Sequence, residues 1–126
     1  MSDGNRTLVE TVMTSPVETI SRDASIREAA TAMRDNGFNA FLVPGADTGI
    51  VTSTDVLDAV ADGRDVEETT VADLMTAPVE SVTVDLALGE AAAMMRNYEI
   101  NHLPVRDDDG DYVGIVSSTD LRETLA

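Results

Sequence analysis

The 126-residue chain has no cysteine, no tryptophan and no lysine, and only two phenylalanines and two tyrosines. Without cysteine there is no disulfide, no thiolate metal site and no cysteine nucleophile. No apolar run approaches the roughly 18 residues of a membrane-spanning helix. The opening Met1-Ser-Asp-Gly-Asn-Arg6 lacks the apolar stretch of a secretory leader. A soluble, cytoplasmic protein is the default expectation. Positive charge is scarce as well: eight arginines stand against 24 acidic residues, for a formal net charge of −16. Such a surface repels phosphate backbones and anionic lipid, so neither nucleic acid nor a membrane is expected as a partner.

The same charge should strain the fold by self-repulsion, a cost that fades at about 1 M salt, where the Debye length is roughly 3 Å. Acid excess without lysine suggests a halophilic source; an ordinary acidic regulatory protein is the plainer alternative. What the chain does hold is aliphatic. Hydrophobic residues make up 43%, enough for one compact domain or two small lobes sharing a core.

The chain is written twice from one plan. Gly49-Ile-Val-Thr-Ser-Thr-Asp55 returns as Gly114-Ile-Val-Ser-Ser-Thr-Asp120, and Met13-Thr-Ser-Pro-Val-Glu18 returns as Met75-Thr-Ala-Pro-Val-Glu80. Ile26, Ala29, Ala30 and Met33 fall on one helical face, and Leu88, Ala91, Ala92 and Met95 repeat it. Asn39 is matched by Asn101. In the first copy Val17–Ile20 reads as a brief strand, and Ser25-Ile-Arg-Glu28 is a capping box that opens a helix. Asn36-Gly37 ends that helix. Strands follow at 38–43 and 49–52, then a helix over 53–61 with Gly63 as its stop. Residues 1–7 read as frayed and 62–69 as a polar linker. The expected fold class is α+β: two β-α-β-β-α repeats, over 8–66 and 67–126, related by a pseudo-twofold, their sheets flanked by helices. One integrated module is expected, since neither half could bury enough core alone.

Thr52-x-x-Asp55 and Ser117-x-x-Asp120 each end a strand and begin a helix. As plain structure they are capping boxes. As chemistry, the free amides of a helix N-terminus attract a phosphate, and the carboxylate beside them can accept both hydroxyls of a ribose. Spacing alone leaves the two readings level. His102, the single histidine, is equally a core-edge imidazole or a ligand contact, and no triad spacing surrounds it. Asp107-Asp-Asp-Gly-Asp111 fits a hairpin turn better than a calcium loop, because strand follows it. Met33, Met94 and Met95 at helical spacing fit the core. No carboxylate pair is placed for acid–base work, and no enzyme is expected.

The doubled order Met-Thr-x-Pro-Val-Glu, helix, Asn, then Gly-Ile-Val-(Ser/Thr)-x-x-Asp resembles a tandem pair of CBS domains, a Bateman module, from about Val9 to Leu125. The resemblance implies a regulatory sensor of an adenosine-containing ligand, acting as a homodimer on a regulated protein that the sequence does not name. Carried over, Asp55 and Asp120 hold ribose hydroxyls, and Thr52, Thr54, Ser117 and Thr119 face the phosphate or its replacement. Asp120 is then paired with Val17, Asn39 and Ala40, and Asp55 with Val79, Asn101 and His102. The first repeat lacks an equivalent of Pro104 and has a shorter turn, so the two clefts are expected to differ. Cations near a phosphate are few: His102, Arg34, Arg96, Arg106 and Arg122. AMP or S-adenosylmethionine therefore suits a −16 chain better than ATP, which would need Mg²⁺ or salt. No cofactor is required. The competing readings are a ligand-free dimerisation or docking platform and, more distantly, a metal-dependent enzyme.

Overall fold

The computed structural model describes residues 7–125. The frayed start expected at 1–7 thus falls outside the described residues but for Thr7. The chain forms two compact units, one of 18–79 and one joining 1–17 to 80–126. Both mix helices with a small sheet, as an α+β chain should.

In the 18–79 unit the expected first strand shrinks to a bridge. Leu42 donates its N–H to the Glu18 carbonyl and Ile20 donates to Leu42, both at 2.9 Å. Helix α2 (Ile26–Asn36) begins where the Ser25 hydroxyl accepts from the Glu28 N–H at 3.1 Å. It ends at Gly37, whose φ of 73° is a left-handed conformation that glycine takes freely. Strands β1 (Ala40–Val43) and β2 (Gly49–Thr52) pair antiparallel, Ala40 facing Thr52. Helix α3 (Ser53–Ala61) follows β2 directly, and Gly63 turns the chain after it. The core is Ile26, Ala29, Met33, Phe41, Val43, Val51, Val56, Ala59 and Val71.

The 62–69 stretch is not a free linker. Ile26 donates to the Thr69 carbonyl at 3.0 Å and Arg27 to that of Val66 at 3.1 Å, so the segment closes over the first turn of α2. Val66 packs on the core, Thr69 is buried, and Arg27 pairs with Glu67. Charge along the segment hid this packing from a reading by polarity.

The other unit opens with α1 (Val9–Val12), and Val9 is wholly buried. The pair β3 (Val82–Thr83) and β4 (His102–Arg106) is parallel, and β4 and β5 (Tyr112–Ser117) are antiparallel. Helix α5 (Leu88–Tyr98) lies between β3 and β4 in the chain, and α6 (Ser118–Leu125) leaves β5 as α3 leaves β2. Helix α5 ends without a glycine: Glu99 itself takes the left-handed turn, at φ 55°. The 107–111 stretch is a hairpin turn, with Asp107 accepting at its side chain from the N–H groups of Asp109 and Asp111, each at 3.0 Å. Both bonds fall on one oxygen, Oδ1, and tie the side chain to the turn. The core is Val9, Val82, Leu88, Ala91, Met95, Leu103, Val105, Val116 and Leu121.

Each unit is completed by the lead-in of the other repeat. Thr14 and Ile115 exchange N–H···O bonds of 2.8 and 3.0 Å, and Thr76 and Ile50 exchange two of 3.0 Å. The glycine that opens each Gly-Ile-Val is what lets the lead-in this close. A Cβ on Gly114 would lie 2.6 Å from the Met13 sulfur and 2.9 Å from the Thr14 carbonyl oxygen. On Gly49 it would lie 2.9 Å from the Met75 sulfur and 3.0 Å from the Thr76 oxygen. The Met-Thr and Gly-Ile-Val motifs recur together because they touch. The peptide bonds before Pro16 and Pro78, just past these contacts, are both cis.

Beyond the 62–69 segment the chain enters α4 (Val71–Leu74), which carries Met75 and Thr76 to β2. It is capped by Thr70-x-x-Asp73, with the Asp73 carboxylate accepting from the Thr70 N–H at 3.0 Å and from its hydroxyl at 3.2 Å. Those bonds, from the Thr70 backbone first and its hydroxyl second, hold the Asp73 carboxyl below its ordinary 3.8. Arg64 adds to the effect, while desolvation opposes it.

Candidate functional site

Two strand-to-helix turns carry the candidate residues. At the first, β2 delivers Thr52 to the N-cap of α3. The Asp55 carboxylate Oδ2 accepts from the Thr52 N–H at 2.8 Å and from its hydroxyl at 3.0 Å, and the Asp55 N–H returns to that hydroxyl at 3.3 Å. At the second, Asp120 Oδ2 accepts from the Ser117 N–H at 2.9 Å, and the Asp120 N–H donates to the Ser117 hydroxyl at 3.2 Å. Both turns are therefore complete capping boxes, in which aspartate does what glutamate or glutamine does elsewhere.

The boxes use one carboxylate oxygen each. Oδ1 of Asp55 and of Asp120 takes no part in the cap. Both side chains are half-buried, and Thr54 and Thr119 lie exposed in the first helical turns beside them. Each turn thus offers a fixed carboxylate oxygen, a hydroxyl and the electropositive end of a helix within one short segment.

The other candidate residues divide between the two units. In the 18–79 unit, the Asn39 carbonyl accepts from the Ser53 N–H at 2.9 Å, Ala40 pairs with Thr52, and Val79 donates to the Thr48 carbonyl at 2.9 Å. In the other unit, the Asn101 carbonyl accepts from the Ser118 N–H at 2.8 Å and His102 pairs with Ser117. Val17 also belongs to that unit. Each asparagine is thus held at the turn of its own repeat. His102 is half-buried on β4, and Asn101 is exposed.

The cations separate more sharply than sequence order suggests. Arg34 pairs with Asp35 at 2.9 Å. Arg106 lies over the Tyr112 ring at 5.3 Å and donates to the Gly110 carbonyl at 3.0 Å. Neither of those bonds reaches a candidate residue. Arg122 does reach one: its Nη2 donates to the Thr119 hydroxyl at 3.3 Å. Among the described residues no group of three or more His, Cys, Asp or Glu is placed to hold a metal ion.

The CBS domain model matches residues 9–62 and 71–126, which takes in both turns, both asparagines and both Met-Thr lead-ins. The chain belongs to the CBS domain family. Its fold is similar to the CBS domain pair of protein MJ0100, a structure in complex with 5′-methylthioadenosine and S-adenosyl-L-methionine. The TM-score is 0.83 at 30% identity, over 94% of this chain and 95% of that one. It is also similar to the hexameric CBS-CP12 protein of bloom-forming cyanobacteria, with a TM-score of 0.86 and 27% identity over 92% of this chain and 66% of that one. A homoserine O-acetyltransferase of Methanosphaerula palustris is 35% identical over 96% of this chain but only 24% of its own length. The chain spans about a quarter of the length of such curated relatives.

Proposed function

We propose that this CBS pair is a regulatory module that takes an adenosine-containing ligand at its two capped turns. The observation that carries the reading is the second carboxylate oxygen, Oδ1, of Asp55 and of Asp120, which the cap does not use. Each is fixed by its own capping box beside a helix N-terminus and two hydroxyl-bearing residues. A preorganised acceptor of that kind suits the paired hydroxyls of a ribose, and the helix end suits an anionic or polar group at the 5′ position. The similarity to a CBS pair in complex with 5′-methylthioadenosine and S-adenosylmethionine supports the same ligand class. On Coulomb grounds AMP or S-adenosylmethionine is favoured over ATP, whose roughly four charges meet a −16 chain unless Mg²⁺ or salt offsets them.

In this reading Thr52, Thr54, Ser117 and Thr119 serve the 5′ group, and Val17, Asn39, Ala40, Val79, Asn101 and His102 serve the base. The module senses and does not turn over its ligand. Occupancy shifts the population of two conformations by as much as the ligand's affinities for them differ, and a partner protein reads the shift. It works in the cytoplasm as a homodimer. Leu57 and Val60, 68% and 50% exposed on α3, are apolar surface that a second copy would cover. No helix among the described residues is long and apolar enough to cross a membrane.

A second reading, a docking platform without ligand, is favoured by one observation: Thr52 and both Oδ2 atoms are already spent on capping. A thermal-shift series in molar KCl separates the two. A ligand that binds only the folded chain stabilises it by about 2.7 kcal/mol at 100 times its Kd. AMP, S-adenosylmethionine or 5′-methylthioadenosine should raise Tm, and Asp55→Ala with Asp120→Ala should abolish the rise. Those variants each also lose a cap, at a cost of about 1 kcal/mol, so each is compared with its own ligand-free Tm. A folded, dimeric chain that shifts with no adenosine compound would leave the docking platform.

A further inference from the structure

Both lead-ins end in a methionine held the same way. Helices α1 and α4 have four residues each, too few to persist without packing. Each is pinned at its start by a wholly buried valine, Val9 or Val71. Each is stopped by a methionine, Met13 or Met75, whose N–H donates to that valine's carbonyl at 3.0 and 2.9 Å. The two methionines share one backbone conformation, φ −65° with ψ 153° and φ −64° with ψ 153°. Their side chains pack on the cores of their units, and their sulfurs fill the space that Gly114 and Gly49 leave open. Each contact lies within one unit.

These thioethers differ from those of the core in exposure. Met33 and Met95 are buried, at 8% and 5%, whereas Met13 and Met75 are half-buried and so partly open to solvent. The chain holds no cysteine, so a thioether is the sulfur that a peroxide meets. A sulfoxide does not suit these places. Its oxygen accepts hydrogen bonds, and the amides of the contact are already engaged, Thr14 with Ile115 and Thr76 with Ile50. The polar atom that shares the glycine gap with each sulfur is a carbonyl oxygen, of Thr14 or of Thr76, itself an acceptor. An oxygen buried without a donor costs free energy, so the oxidised side chain turns to water and leaves the gap empty.

We propose that Met13 and Met75 are twin oxidation sites at which a hydroperoxide unlatches the lead-ins. The sulfur lone pair attacks the outer oxygen of the hydroperoxide, the O–O bond breaks and an S–O bond forms. The proton on that oxygen passes to the departing one, which leaves as water or an alcohol. Sulfur gives up two electrons and the peroxide gains them. A sulfoxide reductase with a dithiol returns the two electrons, releasing water as the dithiol closes to a disulfide. Without its side-chain contact each lead-in is left on one pair of backbone bonds to β2 or β5, the end strands of their sheets. No ligand is needed for this step.

Treating the full chain with dilute hydrogen peroxide tests this, with peptide mass mapping, Tm and amide exchange read on the same samples. Met13 and Met75 should gain oxygen before Met33 and Met95. Tm should then fall, and the amides of Thr14, Ile50, Thr76 and Ile115 should exchange about tenfold faster, the order expected when a half-buried methionine leaves its contacts. Methionine sulfoxide reductase with dithiothreitol should restore both readings. Met13→Leu with Met75→Leu keeps apolar contacts of similar volume and retains Met1 and Met94, so its Tm should resist peroxide. The single variants, each protecting the amides of one unit, test the same contact should the double variant be unstable. Oxidation of Met13 and Met75 no faster than of Met33 and Met95, or oxidation there that leaves Tm and exchange unaltered, would overturn the proposal. So would a fall in Tm that the double leucine variant shares in full.

Discussion

Replacing Gly114 by alanine should destabilise the protein, although alanine is normally the more stabilising residue of the two. The added methyl would stand 2.6 Å from the Met13 sulfur, 2.9 Å from Met13 Cγ and 2.9 Å from the Thr14 carbonyl oxygen. A methionine side chain can move aside. The carbonyl cannot, because the Thr14–Ile115 pair of 2.8 and 3.0 Å bonds fixes that backbone on β5. Overpacking of this kind costs about 1 to 3 kcal/mol. Restricting the unfolded chain returns about 0.4 to 1 kcal/mol. The balance is a loss of roughly 1 to 2 kcal/mol, or a fall in Tm of about 3 to 10 °C for a chain of this size. Gly49→Ala should lose less, since its nearest atoms are at 2.9 and 3.0 Å. Gly89→Ala, at an exposed position in α5, should gain about 0.5 to 1 kcal/mol. Thermal and urea unfolding tracked by circular dichroism gives all three. Gly114→Ala as stable as the wild type would refute the argument that these glycines are there for the lead-ins. Adding Met13→Ala should recover only part of the loss, because the carbonyl contact stays.

Two further outcomes concern charge. The Asp73 carboxyl titrates below 3.8, so its capping of α4 is fully present above that value and is lost as pH falls through its lowered folded-state pKa. An NMR titration should place its midpoint below 3.8, and Thr70→Ala should move it upward; a midpoint at or above 3.8 would contradict the bonds described. The net charge of −16 makes stability climb as KCl rises from about 0.01 M, where the Debye length is roughly 30 Å, to about 1 M, where it is roughly 3 Å. A Tm independent of salt across that range would show that self-repulsion is not a significant load on this fold.

Particular residues show how far the sequence could be read. Helix α3 was legible to the residue because Thr52, Asp55 and Gly63 are all local signals. The stop of α5 was not, because Glu99 takes a left-handed conformation that carries no glycine to announce it. The packing of 62–69 was hidden by its polarity: beside the Arg27–Glu67 pair, what closes it over α2 is two backbone bonds, which side-chain composition does not encode. Arg122 could be named as a cation but not told apart from Arg34 and Arg106. Only the folded chain shows which of them is bonded to a candidate residue.

By itself, then, the sequence determined the duplication, the α+β class, the family and the two aspartate turns, since all are written in short-range patterns repeated in order. Tertiary structure decided which repeat's lead-in completes which sheet, why glycine must open each Gly-Ile-Val, and which turn holds a positive charge. The first two depend on backbones far apart in sequence that exchange hydrogen bonds of 2.8 to 3.0 Å, and the third on where one flexible side chain comes to rest. Periodicity and spacing carry no information at that range.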